Sequence, residues 1–407
     1  MSMSKQSWKE LSSIQLGGAI CLPTILIGFE LARTGFSSAI TSVVIGSCAL
    51  FCLALVATRM SVGSDKTTAE HAYAYFGAMG MRFFAASITF SMSMWFAIQT
   101  QIMGHDIVPI VEAITALKIP LVVINVVAST LMVACALFGI RAIAVCATLM
   151  LPLMIATMGS SVAMAWKNCS NPLPDMNLHV SPSGISLVMA AAISAVVDLP
   201  TFFRHARTER DGMIATILTF LVGIPLIEGV GVLLGAWSSA STLNGALAIV
   251  DHPLWKAWIV FFIIIAGWTT NNTNLYSAAM SFRTILPLSE KKSTLVIGIT
   301  CVVLSCCPLL ENLHRILDLM GVCIVSMGGV ILTAFFLKKR YHARVLHTPS
   351  QIISCIAGMS VGFINIFQGG FFTHIPILDA LAVSALTLIV LRLGVIGGEV
   401  YEIRNEG

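Results

Sequence analysis

One apolar stretch of the 407-residue chain is dense in groups that could bind an ion or a small polar molecule. In Gly267-Trp268-Thr269-Thr270-Asn271-Asn272-Thr273-Asn274, six of eight side chains carry a hydroxyl or an amide. Hydroxyl and carbonyl oxygens are the hard ligands that alkali and alkaline-earth cations prefer. A neutral oxygen cluster in a low dielectric suits a weakly held monovalent ion. Thr and Asn also hydrogen-bond between membrane helices, so the density of the cluster is the signal.

Charge inside apolar runs is rare and marks function by default. Asp198 lies in Ala195-Val196-Val197-Asp198-Leu199-Pro200, and it could bind a solute, relay a proton or cap a resumed helix. Glu228 sits midway along another apolar run, where interhelical hydrogen bonding is the simpler reading. Glu30 and Arg33 can pair or reach toward water, and His105-Asp106 reads as the end of a span. Trp95, in Ser91-Met92-Ser93-Met94-Trp95-Phe96, falls mid-run and not in the interfacial belt usual for Trp. An indole there could stack on a flat ring or simply pack between helices.

These residues need a scaffold, and composition names it. The chain is 57% apolar and 10% charged, where soluble domains carry about 25% charge. Its mean hydropathy is +0.91. This predicts an all-α polytopic membrane protein forming a single domain over residues 1–407, with no soluble domain of any size. The net charge of +4 therefore implies no nucleic-acid partner. Most of the eleven cysteines, such as Cys48, Cys52, Cys135 and Cys146, lie in apolar runs and behave as small hydrophobes. Neither a disulfide framework nor a zinc spacing is present.

A membrane helix needs about 20 mainly apolar residues. Twelve segments qualify, at 12–32, 36–58, 83–104, 119–139, 142–166, 184–201, 212–237, 255–280, 293–310, 316–337, 350–368 and 374–397. With both termini in the cytoplasm, eighteen of the 23 Lys and Arg fall inside and five outside. Positive residues collect on the cytoplasmic side of membrane proteins, which supports both the count and an inner-membrane orientation. The basic run Arg204-His205-Ala206-Arg207-Thr208-Glu209-Arg210 then reads as a topology-setting loop, and the polar amino terminus as a cytoplasmic tail.

Two segments are interrupted. The first carries Gly17-Gly18, Leu22-Pro23-Thr24 and Gly28; the sixth carries the Asp198-Leu199-Pro200 break. Proline removes a backbone donor, and unpaired backbone survives in a membrane only against protein or a watery cavity. Breaks five segments apart suggest an inverted repeat, about 12–166 and 184–337, with 350–397 added, around a central site.

Along these residues the sequence resembles the nucleobase–cation symporter family, in its cytosine-permease branch. The resemblance rests on Trp268-Thr269-Thr270-Asn271 with Leu275-Tyr276 and Phe282, and on Phe202-Phe203-Arg204 with Arg207. It extends to Thr34-Gly35-Phe36-Ser37 with Val44-Ile45-Gly46, and to Trp95-Phe96. It implies twelve helices in the five-plus-five inverted-repeat fold of the amino-acid symporters. It implies a sodium site built from the Thr269 and Thr270 hydroxyls and the carbonyls of Ala266, Gly18 and Cys21. It implies a solute stacked on Trp95 near Ser91, Ala192, Ser194, Asp198 and Asn271.

The chain departs from that pattern in the solute site. Ala192 stands where a second stacking aromatic is expected, Met92 where a glutamine is, Ala266 where an asparagine is, and Asp198 replaces an uncharged residue. The expectation is cation-coupled symport, by sodium or by protons, of a planar heterocycle such as cytosine or a purine. Trp95 would be its only aromatic wall. Transport of an amino acid, vitamin or other amine, and a non-transporting solute receptor, are the alternatives. No paired catalytic groups suggest an enzyme and no cofactor is called for; the oligomeric state is not legible.

Overall fold

The computed structural model describes residues 5–168, 179–238, 243–247, 250, 252–341, 348–370 and 372–405. Among them there is no strand, only one isolated bridge between Gln6 and Ala206. The chain opens with α1 (Trp8–Ala19), α2 (Leu22–Ala32), α3 (Phe36–Ser61), α4 (Thr68–Thr115), α5 (Leu121–Ala136) and α6 (Ile140–Asn168). Next come α7 (Pro182–Val197), α8 (Leu199–Phe203), α9 (Glu209–Thr216), a π-helical turn (Ile217–Gly223) and α10 (Ile224–Trp237). The remainder is α11 (Leu243–Leu247), α12 (Pro253–Ile285), α13 (Glu290–Leu304), α14 (Leu313–Tyr341), α15 (Thr348–Gln368) and α16 (Pro376–Asn405).

Every one of the twelve apolar segments overlaps a helix or a broken series of helices. Length and apolarity alone mark eight described helices as able to cross a membrane, or nine if α1 and α2 count as one bent span. α5 and α13, at 16 and 15 residues, fall short by length. The surface is inverted relative to a soluble protein. Large apolar side chains such as Phe138, Leu149, Val303 and Val390 face outward, while Thr58 and Thr216 are buried and bonded to each other at 2.6 Å.

Both sequence breaks are present, and prolines set them. α1 stops at Ala19, two residues intervene, and α2 resumes at Leu22 with Pro23 in its first turn, bent by 56°. α7 stops at Val197, Asp198 leaves helical geometry (φ −92°, ψ 6°), and α8 starts with Pro200 in its first turn. A proline there loses no helical hydrogen bond, because the first amides of a helix have no partner in any case. Asp198 makes no side-chain cap to α8, so its capping reading fails.

The third segment differs from expectation. α4 begins at Thr68 on a Thr67–Glu70 capping box, breaks at Gly77 (φ 69°, ψ −172°), and runs to Thr115. His105-Asp106 therefore lies inside the helix, which continues past it to Thr115. A polar pair closes a hydropathy window, but a helix continues past it while its backbone bonds remain intact. α13 ends at Leu304, and its last carbonyls need donors. Asn125 Nδ2 donates to Ser305 O at 3.0 Å, and Gln101 Nε2 donates to Ser305 O at 3.3 Å and to Cys307 O. These buried amides complete a frayed helix end.

α2 and α10 cross at backbone contact. A Cβ built on Gly28 would overlap the Glu228 carbonyl oxygen, and one on Gly231 would overlap Ile25 O. Gly229, on the same helix as Gly231, faces open space. Gly28→Ala is therefore expected to force the helices apart and cost about 1–3 kcal/mol. Gly229→Ala should be neutral or slightly stabilising, since Ala outranks Gly as a helix former. Thermal unfolding of the purified variants reads this; equal melting temperatures would refute the crossing.

On the side that carries the amino terminus, the segment before α1 is stitched to the α8–α9 loop. Gln6 N donates to His205 O at 2.6 Å, Arg207 N donates to Gln6 O at 2.9 Å, and Trp8 N donates to Asp211 Oδ1 at 2.9 Å. Lys5 pairs with Asp65 at 3.6 Å and Arg207 with Glu10 at 3.7 Å; such exposed pairs add little each. Burial, aided by Arg204 and Lys5, pushes the His205 imidazole down to about 4, so it is neutral at pH 7.

Candidate functional site

The two breaks, α4, the π-helical turn, α10 and α12 enclose one cavity of about 110 Å³. Gly18, Ala19, Cys21 and Thr24 line it from the first break, and Ala192, Ser194, Ala195 and Asp198 from the second. α4 contributes Met92 and Trp95, and α12 contributes Thr270, Thr273, Asn274 and Ser277. Thr219 and Glu228 close the side formed by the π-helical turn and α10. π-helical turns recur at functional sites, and Pro225, which has no N–H to donate, follows this one after a single residue, Ile224.

The oxygen cluster gathers where the first break meets α12. Thr270 Oγ1 lies 3.1 Å from Gly18 O and 2.9 Å from Ala266 O, so one hydroxyl joins both helices. Thr269 Oγ1 sits 3.1 Å from Ile265 O and 3.2 Å from Ala266 O, within its own helix. The Cys21 thiol lies 3.0 Å from Thr24 Oγ1, while the Cys21 carbonyl accepts Ile25 N at 3.2 Å in the first turn of α2. Gly18, Ala266, Thr269 and Thr270 thus converge, and Cys21 adjoins them across the break. Among the described residues no group of three or more His, Cys, Asp or Glu could hold a metal ion; the oxygens gathered here are uncharged.

Asp198 is fastened in place. Its Oδ1 accepts Thr201 Oγ1 at 2.7 Å and its Oδ2 accepts the Ser277 hydroxyl, tying the second break to α12. Arg204 stands behind it, donating to Thr201 O at 3.1 Å and toward Tyr276 Oη at 3.4 Å. Trp95 is 9% exposed, with its accessible surface on the cavity.

Three expectations need correction. Asn271 does not reach the cavity: its amide donates to Phe96 O at 3.2 Å and Thr100 Oγ1 at 3.0 Å, pinning α12 to α4. Asn274, three residues on, is the amide on the cavity wall. Ser91 is buried outside the cavity, and Met92 and Trp95 take its face. Trp95 is not the only aromatic wall, because Phe202 on α8 lines the cavity too, tilted against Tyr276 at 5.8 Å. Glu228 also departs from its simpler reading: among the described residues neither carboxylate oxygen has a hydrogen-bond partner.

Broken helices around a central cavity are the architecture of solute transporters with a site at the bilayer midplane. The fold matches that of Mhp1, a nucleobase-cation-symport-1 family transporter solved in a closed conformation with bromovinylhydantoin bound. Its TM-score is 0.77 at 15% identity, covering 96% of this chain and 93% of that one. A Na+-coupled sialic acid symporter in a substrate-bound outward-open state matches with a TM-score of 0.67 at 14% identity, over 95% and 90% of the two chains. The cytosine permease of Escherichia coli (strain K12) is 24% identical over 309 residues, 73% of this chain and 70% of the permease. A family model described as permease for cytosine/purines, uracil, thiamine, allantoin matches residues 2–353, and the chain belongs to that family.

Proposed function

We propose that the chain is a secondary active transporter that couples sodium movement to uptake of a nucleobase or related planar heterocycle. The observation that carries this is the Thr270 hydroxyl, which joins the carbonyls of Gly18 and Ala266 where the broken helix meets α12. Gly18, Cys21 and Ala266 would give sodium three carbonyl oxygens, and Thr269 and Thr270 two hydroxyls. The ring would lie against Trp95 beside Ala192 and Ser194, with Asn274 and Ser277 at its edges. Ion and solute each bind one conformation better than the other, so each favours binding of its partner. No covalent step is required.

The same reading takes the chain as one domain of twelve transmembrane helices. Residues about 12–166 and 184–337 form inverted repeats, and 350–397 an addition. The matched breaks at Pro23 and Pro200, facing one cavity, support it. The excess of Lys and Arg on one side supports an inner-membrane protein with both termini cytoplasmic.

Uptake into proteoliposomes tests the function. With an inward sodium gradient, at least one of labelled cytosine, adenine, uracil and thiamine is expected to accumulate, and to stop doing so when the gradient is dissipated. Accumulation of an amino acid with no uptake of any heterocycle would replace this reading.

A further inference from the structure

Of the two carboxylates on the cavity wall, only one is spoken for. Asp198 accepts hydroxyls from Thr201 and Ser277 and has Arg204 behind it. Glu228 is fully buried and lines the cavity together with Thr24 and Thr219. Its backbone is fixed by the Gly28 crossing, so the side chain cannot withdraw with its helix. Both of its oxygens lack a partner among the described residues. The cavity wall contains no Lys, Arg or His. An unpaired carboxylate in a low dielectric is strongly unfavourable, so the group is kept either as the neutral acid or by a positive partner, and with no cation on the wall that partner would be something that enters the cavity.

We propose that Glu228 is the counter-ion of a positively charged solute, and that the site selects planar azaheterocycles carrying a delocalised cation over neutral rings of the same shape. This rests on the heterocycle-transport reading above and names the class of ring. Two features favour the solute over the coupling ion as the partner. The oxygen cluster between α1 and α12 already offers an ion a neutral ligand set, of which Gly18, Cys21 and Thr270 share the cavity wall with Glu228. Trp95 and Phe202 line the same space, and aromatic faces attract delocalised cations. Asn274 and Ser277 can read the ring's edge without charge. With Met92 and Ala192 on the wall, Glu228 is the side chain that would tell a charged ring from a neutral one.

The test measures binding to the purified full-length protein in saturating sodium, by calorimetry and by thermal stabilisation. Two isosteric pairs serve as probes: 4-aminopyridine, a cation at neutral pH, against aniline, and 4-aminoquinoline against 1-aminonaphthalene, with cytosine as a neutral heterocycle. The cations are expected to bind wild type about tenfold more tightly than their neutral partners, the scale of a hydrogen-bonded charge. Glu228→Gln should erase that preference and Glu228→Asp should keep part of it. The preference ratio is read within each variant, so a general loss of stability does not imitate the effect, and sodium-induced stabilisation confirms that the variant is folded. Equal binding of cation and neutral partner by wild type overturns the proposal, as does an unchanged preference in Glu228→Gln. Loss of sodium stabilisation in Glu228→Gln with the preference intact also overturns it, and makes Glu228 an ion ligand. Binding of cytosine without any cation preference leaves the transport reading standing and removes only this one. Binding of none of the five probes overturns this proposal, and the uptake panel of labelled heterocycles then decides the transport reading by itself.

Discussion

Replacing Trp95 with alanine is expected to weaken solute binding about tenfold while sodium binding survives. With Trp95 9% exposed, about 20 Å² of indole remains to be covered, worth about 0.5 kcal/mol at about 25 cal/mol per Å², and ring stacking adds about 0.5–1.5. Together these reach about one power of ten in affinity. Phe202 cannot take over, because its ring is packed on Tyr276. The ion ligands sit on α1, in the break that follows it and on α12, and none is on α4, so sodium-induced stabilisation should be unchanged. Trp95→Phe keeps a ring and should keep part of the affinity. Calorimetric titration of the transported ring into wild type and both variants decides it. Equal affinity in Trp95→Ala would mean the ring does not stack there.

Thr270→Ala is expected to remove sodium dependence, and more completely than Thr269→Ala. The Thr270 hydroxyl reaches Gly18 O on α1 as well as Ala266 O on its own helix, whereas the carbonyls that Thr269 reaches both belong to α12. Losing the bridging oxygen removes an ion ligand and unlinks the broken helix from α12. A ligand of a charged partner is worth about 1.5–3 kcal/mol, so sodium affinity should fall at least about tenfold. Thr270→Ser restores the oxygen and should restore most of the response. Uptake measured against sodium concentration reads it directly, and unchanged half-saturation in both alanine variants would remove the ion from this position.

The breaks were legible because their causes are local. Pro23 and Pro200 forbid a continuous helix whatever surrounds them, and the structure breaks within three residues of each. Which side of a helix meets the cavity was not legible. Helices in a membrane core are apolar nearly all round, so no amphipathic stripe gives their rotation. Asn271 and Asn274 are both amides in an oxygen-rich run, and only the packing of α12 on α4 turns the first away and the second inward. Ser91 lost its place to Met92 for the same reason. Phe202 was quoted as a motif residue but not as a wall, because its ring enters the cavity only once α8 has turned at Asp198. The oxygen set was easier to find, since a dense run of hydroxyls and amides in an apolar helix is itself the signal.

Interrupting a helix in the middle of the chain's first span turns one macrodipole into two. α1 ends at Ala19 with its carbonyl pole, and α2 begins at Leu22 with its amide pole. Each pole carries roughly half an elementary charge. Gly18, the carbonyl that Thr270 reaches, belongs to the negative pole. Thr24, which lines the same cavity as Glu228, belongs to the positive pole. A cation held at Gly18 would therefore meet the negative pole, and the positive pole opens on the cavity that holds the carboxylate, with two residues between the poles. An unbroken helix would hold both poles at the membrane surfaces, where water screens them. The break carries that field inward, to residues that need it.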